Sequence, residues 1–183
     1  MEWSDILKTT GVIRRIDDLG RIVIPKEIRK SMRIKNGDSL EIFVDVDSVI
    51  LKKYSPIESV EEAAEKYAST FNQVIKHNVI ITDRDKVIAA SGPLKKKYLN
   101  QDISDFAVHC IERRDSFVER QKKSFSFIND LEEFGFYSFS SIVNNGDAIG
   151  GVIIISNEIP ILESEEKMAV ILSKLLSKNF IDD

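Results

Sequence analysis

The chain has little of several things that common protein classes require. Its 183 residues include one cysteine, two histidines, one tryptophan and four prolines. A single cysteine, Cys110, cannot close an intramolecular disulfide, so a secreted domain held by disulfides is excluded. The apolar runs are only a few residues long, and no basic-then-apolar leader opens the sequence. We therefore expect a soluble globular protein with no membrane partner.

Groups that carry enzymatic chemistry are also scarce. The two histidines, His77 and His109, stand at no metal-ligand spacing from Cys110 or from each other. On one predicted helix, His109 and Cys110 point in different directions, which is a poor geometry for a nucleophile and its base. Glycine-rich phosphate loops, H-E-x-x-H and G-x-S-x-G are missing. We predict no catalytic residues, no metal, no cofactor and no enzymatic activity, and interpret Cys110 as a small buried apolar residue.

Basic residues are fewer than acidic ones overall, 26 against 30, but they are concentrated in one segment. The net charge is −4 and the pI about 5.4, which at first sight disfavours nucleic acid as a partner. Between Lys8 and Lys35, however, nine basic and three acidic residues give a net charge of +6 in 28 residues. From Ser55 onward, 15 basic and 21 acidic residues give −6. This asymmetry favours an interaction surface in the first part of the chain, with an ordinary solvated face as the alternative.

The first part of the chain has the pattern of a small β-rich domain. Segments 9–16 and 21–24 flank a turn at 17–20 and predict a β-hairpin. Pro25 begins a helix that we expect to continue to Ile34, and strands at 40–44 and 49–51 follow. So few residues bury little core, so we expect an obligate dimer that interleaves equivalent hairpins.

Residues 10–30, TGVIRRIDDLGRIVIPKEIRK, resemble the opening of the AbrB family, and residues 37–42 and 50–54 fit the same pattern. AbrB proteins are bacterial transition-state regulators whose swapped-hairpin fold is shared more distantly with MazE-type antitoxins. The resemblance implies a homodimer that places arginine-bearing loops and helix starts against the major groove of double-stranded DNA. The expected DNA-binding residues are Arg14, Arg15, Arg21, Lys26, Arg29, Lys30 and Arg33.

Two details of this basic cluster qualify the expectation. Family members often have two arginines in the helix, whereas this chain has Arg29 followed by Lys30, and a lysine is a point charge that cannot form a bidentate contact. The alternative to DNA binding is that Asp17 and Asp18 pair with Arg14 or Arg15 across the hairpin. Residues 1–8 form an N-terminal extension to which we assign no function.

The second part of the chain predicts an antiparallel sheet with flanking helices. A helix over 55–76 begins with Ser55 and Pro56 and has an apolar seam, so we expect it to link the domains and pack on its dimer mate. Burial on its own domain is the alternative. The seam consists of Ile57, Val60, Ala64, Tyr67, Phe71 and Val74. In 77–183 we expect strands at 78–82, 87–90, 116–119, 125–128, 136–143 and 148–156, and helices at 99–113 and 163–180, the latter with Met168, Ile171, Leu172, Leu175 and Leu176 on one face.

This order of elements resembles a GAF domain, a ligand-sensing fold. Segments 80–85, 90–92, 96–99 and 145–150 are similar to a family of regulators in which an AbrB-type domain precedes a GAF domain, and this similarity implies a role in sporulation. Aromatic residues crowd the stretch 117–139, where they either line a small-molecule cavity or, as we favour, form plain core. They are Phe117, Phe125, Phe127, Phe134, Phe136, Tyr137 and Phe139.

The sequence thus predicts an α+β protein with an extension at 1–8, an AbrB-type domain at 9–54, a linking helix at 55–76 and a GAF-like domain at 77–183. We expect a cytoplasmic, nucleoid-associated bacterial transcription regulator that binds specific DNA sequences. Its copies are expected to form a homodimer through the first domain and a homotetramer through the second. The alternatives are an antitoxin-like protein whose main partner is a toxin, and a receptor for an unidentified small molecule whose DNA binding is only the output.

Overall fold

The computed structural model describes residues 11–54 and 61–178, and the chain divides into two compact units, the first ending at Tyr54. In the first unit, helix α1 spans Lys26–Ser31, strand β1 spans Leu40–Val44 and strand β2 spans Val49–Lys53. The two strands pair antiparallel, with Leu40 opposite Lys53 and Val44 opposite Val49. The predicted strands at 40–44 and 49–51 are therefore confirmed.

Helix α1 is shorter than predicted. It begins after Pro25, whose carbonyl accepts a hydrogen bond from the Arg29 N–H at 2.9 Å. It ends before Arg33, which adopts a left-handed backbone with φ of 52°, and the Ile34 N–H then turns back to the Arg29 carbonyl at 2.7 Å. The left-handed conformation of Arg33 lets the chain turn back and satisfy the last carbonyls of the helix. Helix α1 therefore ends at Ser31, three residues before the predicted end at Ile34.

The predicted hairpin of 9–16 and 21–24 is wrong for the single chain. Residues 9 and 10 lie outside the described residues, and neither 11–16 nor 21–24 forms a strand. Only the turn is present: the Gly20 N–H donates to the Asp17 carbonyl at 2.9 Å, and the Asp17 N–H donates to the Arg21 carbonyl at 3.0 Å. The apolar side chains of Ile13 and Val23 are 87% and 73% exposed, so these two side chains lie mostly in solvent.

The second unit is a five-stranded antiparallel sheet with helices on both faces. The strand order is β4–β3–β7–β6–β5. In chain order the elements are α2 (Glu61–Ile75), β3 (Asn78–Thr82), β4 (Val87–Ser91), α3 (Lys95–Tyr98), α4 (Asp105–Glu112), β5 (Ser116–Ile128), β6 (Leu131–Asn144), β7 (Asp147–Ser156) and α5 (Glu163–Lys178).

Alternate residues of the central strand β7 supply two separate cores. Val152 and Ile154 face helices α2 and α5, and Ile153 and Ile155 face helix α4. All four side chains are fully buried, which is why β7 has almost no polar residues. No helix among the described residues has both the length and the apolar character needed to cross a membrane.

The single helix predicted at 99–113 is wrong, because α3 and α4 are separated by residues 99–104. Asn100 has a φ of 64°, and the backbone N–H groups of Ile103 and Ser104 donate to the carbonyls of Asp85 and Phe127, both at 2.8 Å. Ser104 then caps α4, since its hydroxyl accepts the Ala107 N–H. The strands predicted at 116–119 and 125–128 are likewise one long strand, β5, with a register shift between Glu119 and Lys123.

Most of the described part of the apolar seam predicted for the linking helix packs on its own unit. Ala64 is buried in the core, Tyr67 and Phe71 are partly buried against it, and Val74 is 65% exposed. For the described part of this helix, burial on its own domain is therefore confirmed, while Ser55, Pro56, Ile57 and Val60 lie outside the described residues.

The apolar face predicted for α5 is only partly buried. Leu172 and Leu176 are buried, but Ile171 and Leu175 are 50% and 38% exposed.

Most of the aromatic stretch is packed core, as predicted. Four rings lie together under α4, with centroid separations of 4.5 Å for Phe125 and Tyr137, and 5.8 Å for Phe127 and Phe139. Phe117 packs at the margin of this group. The stretch is not one cluster, however, because Phe136 lies in the core on the opposite face and Phe134 is 59% exposed.

Candidate nucleic-acid interface

The turn at 17–20 holds an acid and an arginine against each other. The Asp17 Oδ1 atom accepts the backbone N–H groups of Leu19 at 3.0 Å and Arg21 at 2.8 Å, and Oδ2 accepts the Nε–H of Arg21 at 2.8 Å. The backbone N–H of Arg21, and next its side chain, hold the pKa of the Asp17 carboxyl below its usual range. The predicted alternative, that Asp17 pairs with Arg14 or Arg15, is wrong because its partner is Arg21.

The two arginines on the segment before this turn are in solvent. Arg14 and Arg15 are both exposed, and Arg14 Nη1 donates to the carbonyl of its neighbour Ile13 at 3.0 Å. A carbonyl carries no net charge, so this contact does not neutralise the positive charge of Arg14. With Arg21, whose side chain is 71% exposed, the segment and the turn present three guanidinium groups.

The remaining four predicted residues lie on or just after α1 and differ in exposure. Lys26 and Lys30 are exposed, whereas Arg29 and Arg33 are half-buried. Arg29 Nη1 lies 3.4 Å from its acceptor, Asn36 Oδ1, and its buried Nε has no hydrogen-bond partner among the residues that the structure describes. The backbone carbonyl of Arg33 accepts a hydrogen bond from Lys53 Nζ at 3.3 Å. Five of the seven predicted residues are therefore exposed to solvent, although Arg21 among them is paired with Asp17, and the other two are half-buried.

Sequence reasoning missed the role of Asp17 as the partner of Arg21. A signal was present, because an acid and an arginine four residues apart around a glycine turn are placed to meet when the turn closes. In the sequence, Asp17 indicated a turn and Arg21 a candidate DNA contact, as two separate features. Their pairing becomes visible only when the turn is closed.

The first unit also lacks a core of its own. In the described part, residues 11–54, Pro25 alone is buried. Of the twenty large apolar side chains exposed in the described residues, thirteen belong to this unit. One face of the β1–β2 hairpin is apolar except for Lys53 at its end, and is formed by Leu40, Ile42, Val44, Val49 and Leu51. A two-stranded hairpin with an open apolar face is marginal in water, so this unit requires a cover.

Cys110 and His109 are neighbours on α4 but differ in exposure. Cys110 is 4% exposed and burial raises its pKa to about 11, while the neighbouring His109 is exposed and its Nδ1 lies 2.6 Å from the Asp105 carbonyl oxygen. The described residues contain no group of three or more histidine, cysteine and acidic side chains placed to hold a metal ion.

Comparison with known proteins identifies the family. Residues 59–180 match the model described as "Stage V sporulation protein T C-terminal, transcription factor". The chain is also 48% identical over 163 residues to Stage V sporulation protein T of Bacillus subtilis (strain 168), a match that covers 88% of this chain and 92% of that protein. The chain belongs to the stage V sporulation protein T family. The predicted family and its assignment to transcription factors are thereby confirmed.

In this member of the stage V sporulation protein T family, each of the two units also resembles other proteins. Residues 13–59 match the model "Antidote-toxin recognition MazE, bacterial antitoxin". The chain is 52% identical over 50 residues to the Transition state regulatory protein AbrB of Bacillus subtilis (strain 168), which covers 27% of this chain and 52% of that protein. The GAF domain of an Acinetobacter phosphoenolpyruvate-protein phosphotransferase is 11% identical, with a TM-score of 0.56, over 69% of this chain and 88% of that chain. The predicted α+β class, an AbrB-type unit followed by a unit with the GAF fold, is confirmed.

Proposed function

We propose that this member of the stage V sporulation protein T family regulates sporulation genes by binding specific duplex DNA through its first unit. The observation that carries the proposal is the basic surface of that unit: seven basic side chains lie on one extended segment, one turn and one short helix end, and five of them are exposed. Guanidinium groups match phosphates and the O6/N7 edge of guanine, and ammonium groups suit phosphates. The proposed contacts are Arg14, Arg15, Arg21, Lys26, Arg29, Lys30 and Arg33.

In this proposal the DNA-binding form is a homodimer. Neither 11–16 nor 21–24 forms a strand in the single chain, and Ile42, Val44 and Val49 on one face of the β1–β2 hairpin are exposed. A second copy that interleaves the same segments would supply both the missing ladder and the missing cover. Dimerisation would also bring two +6 segments onto one assembly, which strengthens attraction for DNA despite the acidic total charge.

A homotetramer through the second units is the proposed larger assembly. Val74 of α2 and Ile171 and Leu175 of α5 are exposed apolar side chains on the two helices that cover the same sheet face. Light scattering of the full chain tests this step. Ile171→Asp should convert a tetramer into a dimer, whereas Ile159→Asp, an equally exposed apolar position in the loop before α5, should leave the tetramer intact.

The salt dependence of DNA binding tests the basic surface itself. Each phosphate contact contributes about 0.9 to the slope of log Kobs against log salt. Alanine at Arg14, Arg21 or Lys30 removes two such contacts from a dimer, so each slope should fall by about 1.8. Lys167→Ala, which removes an exposed cation on α5, is the matched control and should leave the slope unchanged. Unchanged slopes for all three variants would remove the assignment.

An antitoxin role is the second candidate, because residues 13–59 match a MazE model. Purification of the protein from its own cells distinguishes the two functions. A toxin that co-purifies in stoichiometric amount supports the antitoxin role, whereas bound DNA without a toxin supports the regulator.

We place the regulator in the cytoplasm with the nucleoid, because a bacterial transcription factor acts on the chromosome. We assign it no enzymatic activity, and a small-molecule ligand of the second unit would be detected by native mass spectrometry of the same preparation.

A further inference from the structure

The turn before Arg21 couples an acidic side chain to a proposed DNA contact, and this arrangement has a use beyond folding the turn. We propose that Asp17 is a positioning residue for DNA recognition, which fixes the Arg21 guanidinium so that its terminal amino groups are held ready for the DNA. This inference rests on the proposed DNA-binding function and adds a residue that carries the wrong charge to touch DNA itself.

The carboxylate of Asp17 is held at both oxygens. Oδ1 accepts two backbone N–H groups of the turn, from Leu19 at 3.0 Å and from Arg21 at 2.8 Å, and is thereby fixed to the main chain. Oδ2 accepts the Nε–H of Arg21 at 2.8 Å. The guanidinium is therefore connected to the turn backbone through two short links rather than left at the end of a flexible stem.

The contact uses the inner edge of the guanidinium and spares the outer one. A guanidinium has five N–H donors, of which the Nε–H is one and the two terminal nitrogens carry four. The Arg21 side chain stays 71% exposed although its Nε–H is engaged. The terminal nitrogens thus keep the parallel pair of donors that binds a phosphate or the O6/N7 edge of guanine.

A positioning role explains why an acid stands in a basic segment. A carboxylate near the DNA backbone repels phosphates, so by charge alone Asp17 lowers affinity for every DNA sequence. In return, Arg21 does not have to be ordered when DNA binds. Ordering one rotamer-rich side chain weakens binding by about 2- to 12-fold, so this is the advantage expected for each Arg21 that contacts DNA.

The test uses the full chain and two duplexes of 40 base pairs: one selected by the wild-type protein from a random pool, and one with the same composition in scrambled order. The specificity ratio is the affinity for the selected duplex divided by that for the scrambled one. In Asp17→Asn, Oδ1 still accepts the two backbone N–H groups, but the amide that replaces Oδ2 cannot accept the Arg21 Nε–H. Asp18→Asn is the matched control, since Asp18 carries the same charge one position away and makes no hydrogen bond to Arg21.

Asp17→Asn should raise affinity for the scrambled duplex, because a negative charge is lost, and lower the specificity ratio by about 2- to 12-fold for each chain in contact. Asp18→Asn should raise both affinities together and leave the ratio unchanged. If Asp17→Asn and Asp18→Asn changed the specificity ratio equally, the inference would be overturned, because Asp17 would then act only through its charge.

A third variant separates positioning from an effect on the turn itself. In the background of Arg21→Ala, Asp17→Asn should cause no further loss of the specificity ratio, because the side chain that it positions is absent. An equal loss in that background would overturn the inference in favour of a purely structural turn former. If the wild-type protein selects no duplex from the pool, the proposed function fails instead, and the two failures are thus distinguishable.

Discussion

The open apolar face of the β1–β2 hairpin leads to a prediction about Ile42, which lies in the middle of that face opposite Leu51. We expect Ile42→Asp to prevent the first unit from dimerising. Ile42 is 65% exposed in the single chain, and full burial of such a side chain is worth about 1.5–3 kcal/mol. Cover by a second copy therefore contributes about 1–2 kcal/mol per chain and about 2–4 kcal/mol per dimer.

A loss of this size raises the dimer dissociation constant by about 30- to 900-fold, before the cost of desolvating the new carboxylate is added. Hydrogen–deuterium exchange of the full chain, followed by mass spectrometry, measures the effect separately in each unit. In the wild-type protein, protection of peptides from 11–16 and 21–24 should rise with protein concentration, since these segments form no strand in the single chain and gain a ladder in the proposed dimer. Ile42→Asp should abolish that protection and leave peptides from β3 and β7 unchanged.

Val46→Asp is the matched control for this experiment. It also replaces an apolar side chain by a carboxylate, four residues from Ile42. Val46 is fully exposed in the turn between β1 and β2, outside both strands. Val46→Asp should leave the protection of 11–16 and 21–24 unchanged. Wild-type protection of these peptides in Ile42→Asp would refute the reasoning, because the unit would then be stable without a cover on its apolar face.

Three further predictions concern single side chains. Phe127→Ala should lower the free energy of unfolding of the second unit by about 3–5 kcal/mol in a denaturant titration, because Phe127 is 1% exposed among four other rings, whereas Phe134→Ala at a 59% exposed position should cost far less. The lowered pKa of Asp17 means that its contacts with Arg21 are complete above the ordinary carboxyl value of about 4 and are lost as the pH falls through the lowered folded value. A carboxyl NMR titration should give a midpoint below 4 that rises in Arg21→Ala. Cys110, with its pKa raised to about 11, should resist alkylation at pH 8 until the protein unfolds, and rapid labelling of the native protein would contradict its burial.

The sequence predicts best those elements whose signals are local. Strand β1 has the predicted bounds because apolar alternation ends at a turn that closes within the chain, from the Asp45 N–H to the Ser48 carbonyl at 2.9 Å. The separation of α3 from α4 was missed because it depends on Asp85 and Phe127, whose carbonyls take the backbone N–H groups of residues distant in sequence. Local helical preference gives no sign of such long-range partners.

The candidate site shows the same division. A run of basic residues is visible in the composition of the sequence, and the structure leaves Arg14, Arg15 and Lys30 of that run exposed. The pairing of Asp17 with Arg21, and the half-burial of Arg29, depend on how the turn and the end of α1 close, which no periodicity shows. The strands expected at 9–16 and 21–24 do not form among the described residues of the single chain, and in the proposed dimer a second copy would supply the ladder that they need.

The proposed function depends on DNA binding by the basic surface of the first unit. Selection of fragments from the genomic DNA of the source organism, with the full-length protein as bait, tests it most directly. The wild-type protein should enrich a discrete set of fragments, and a variant with alanine at Arg14, Arg21 and Lys30 should enrich none while keeping the same oligomeric state. DNA binding through these residues would be contradicted by a wild-type protein that enriches nothing above background, or by a triple variant that recovers the same fragments.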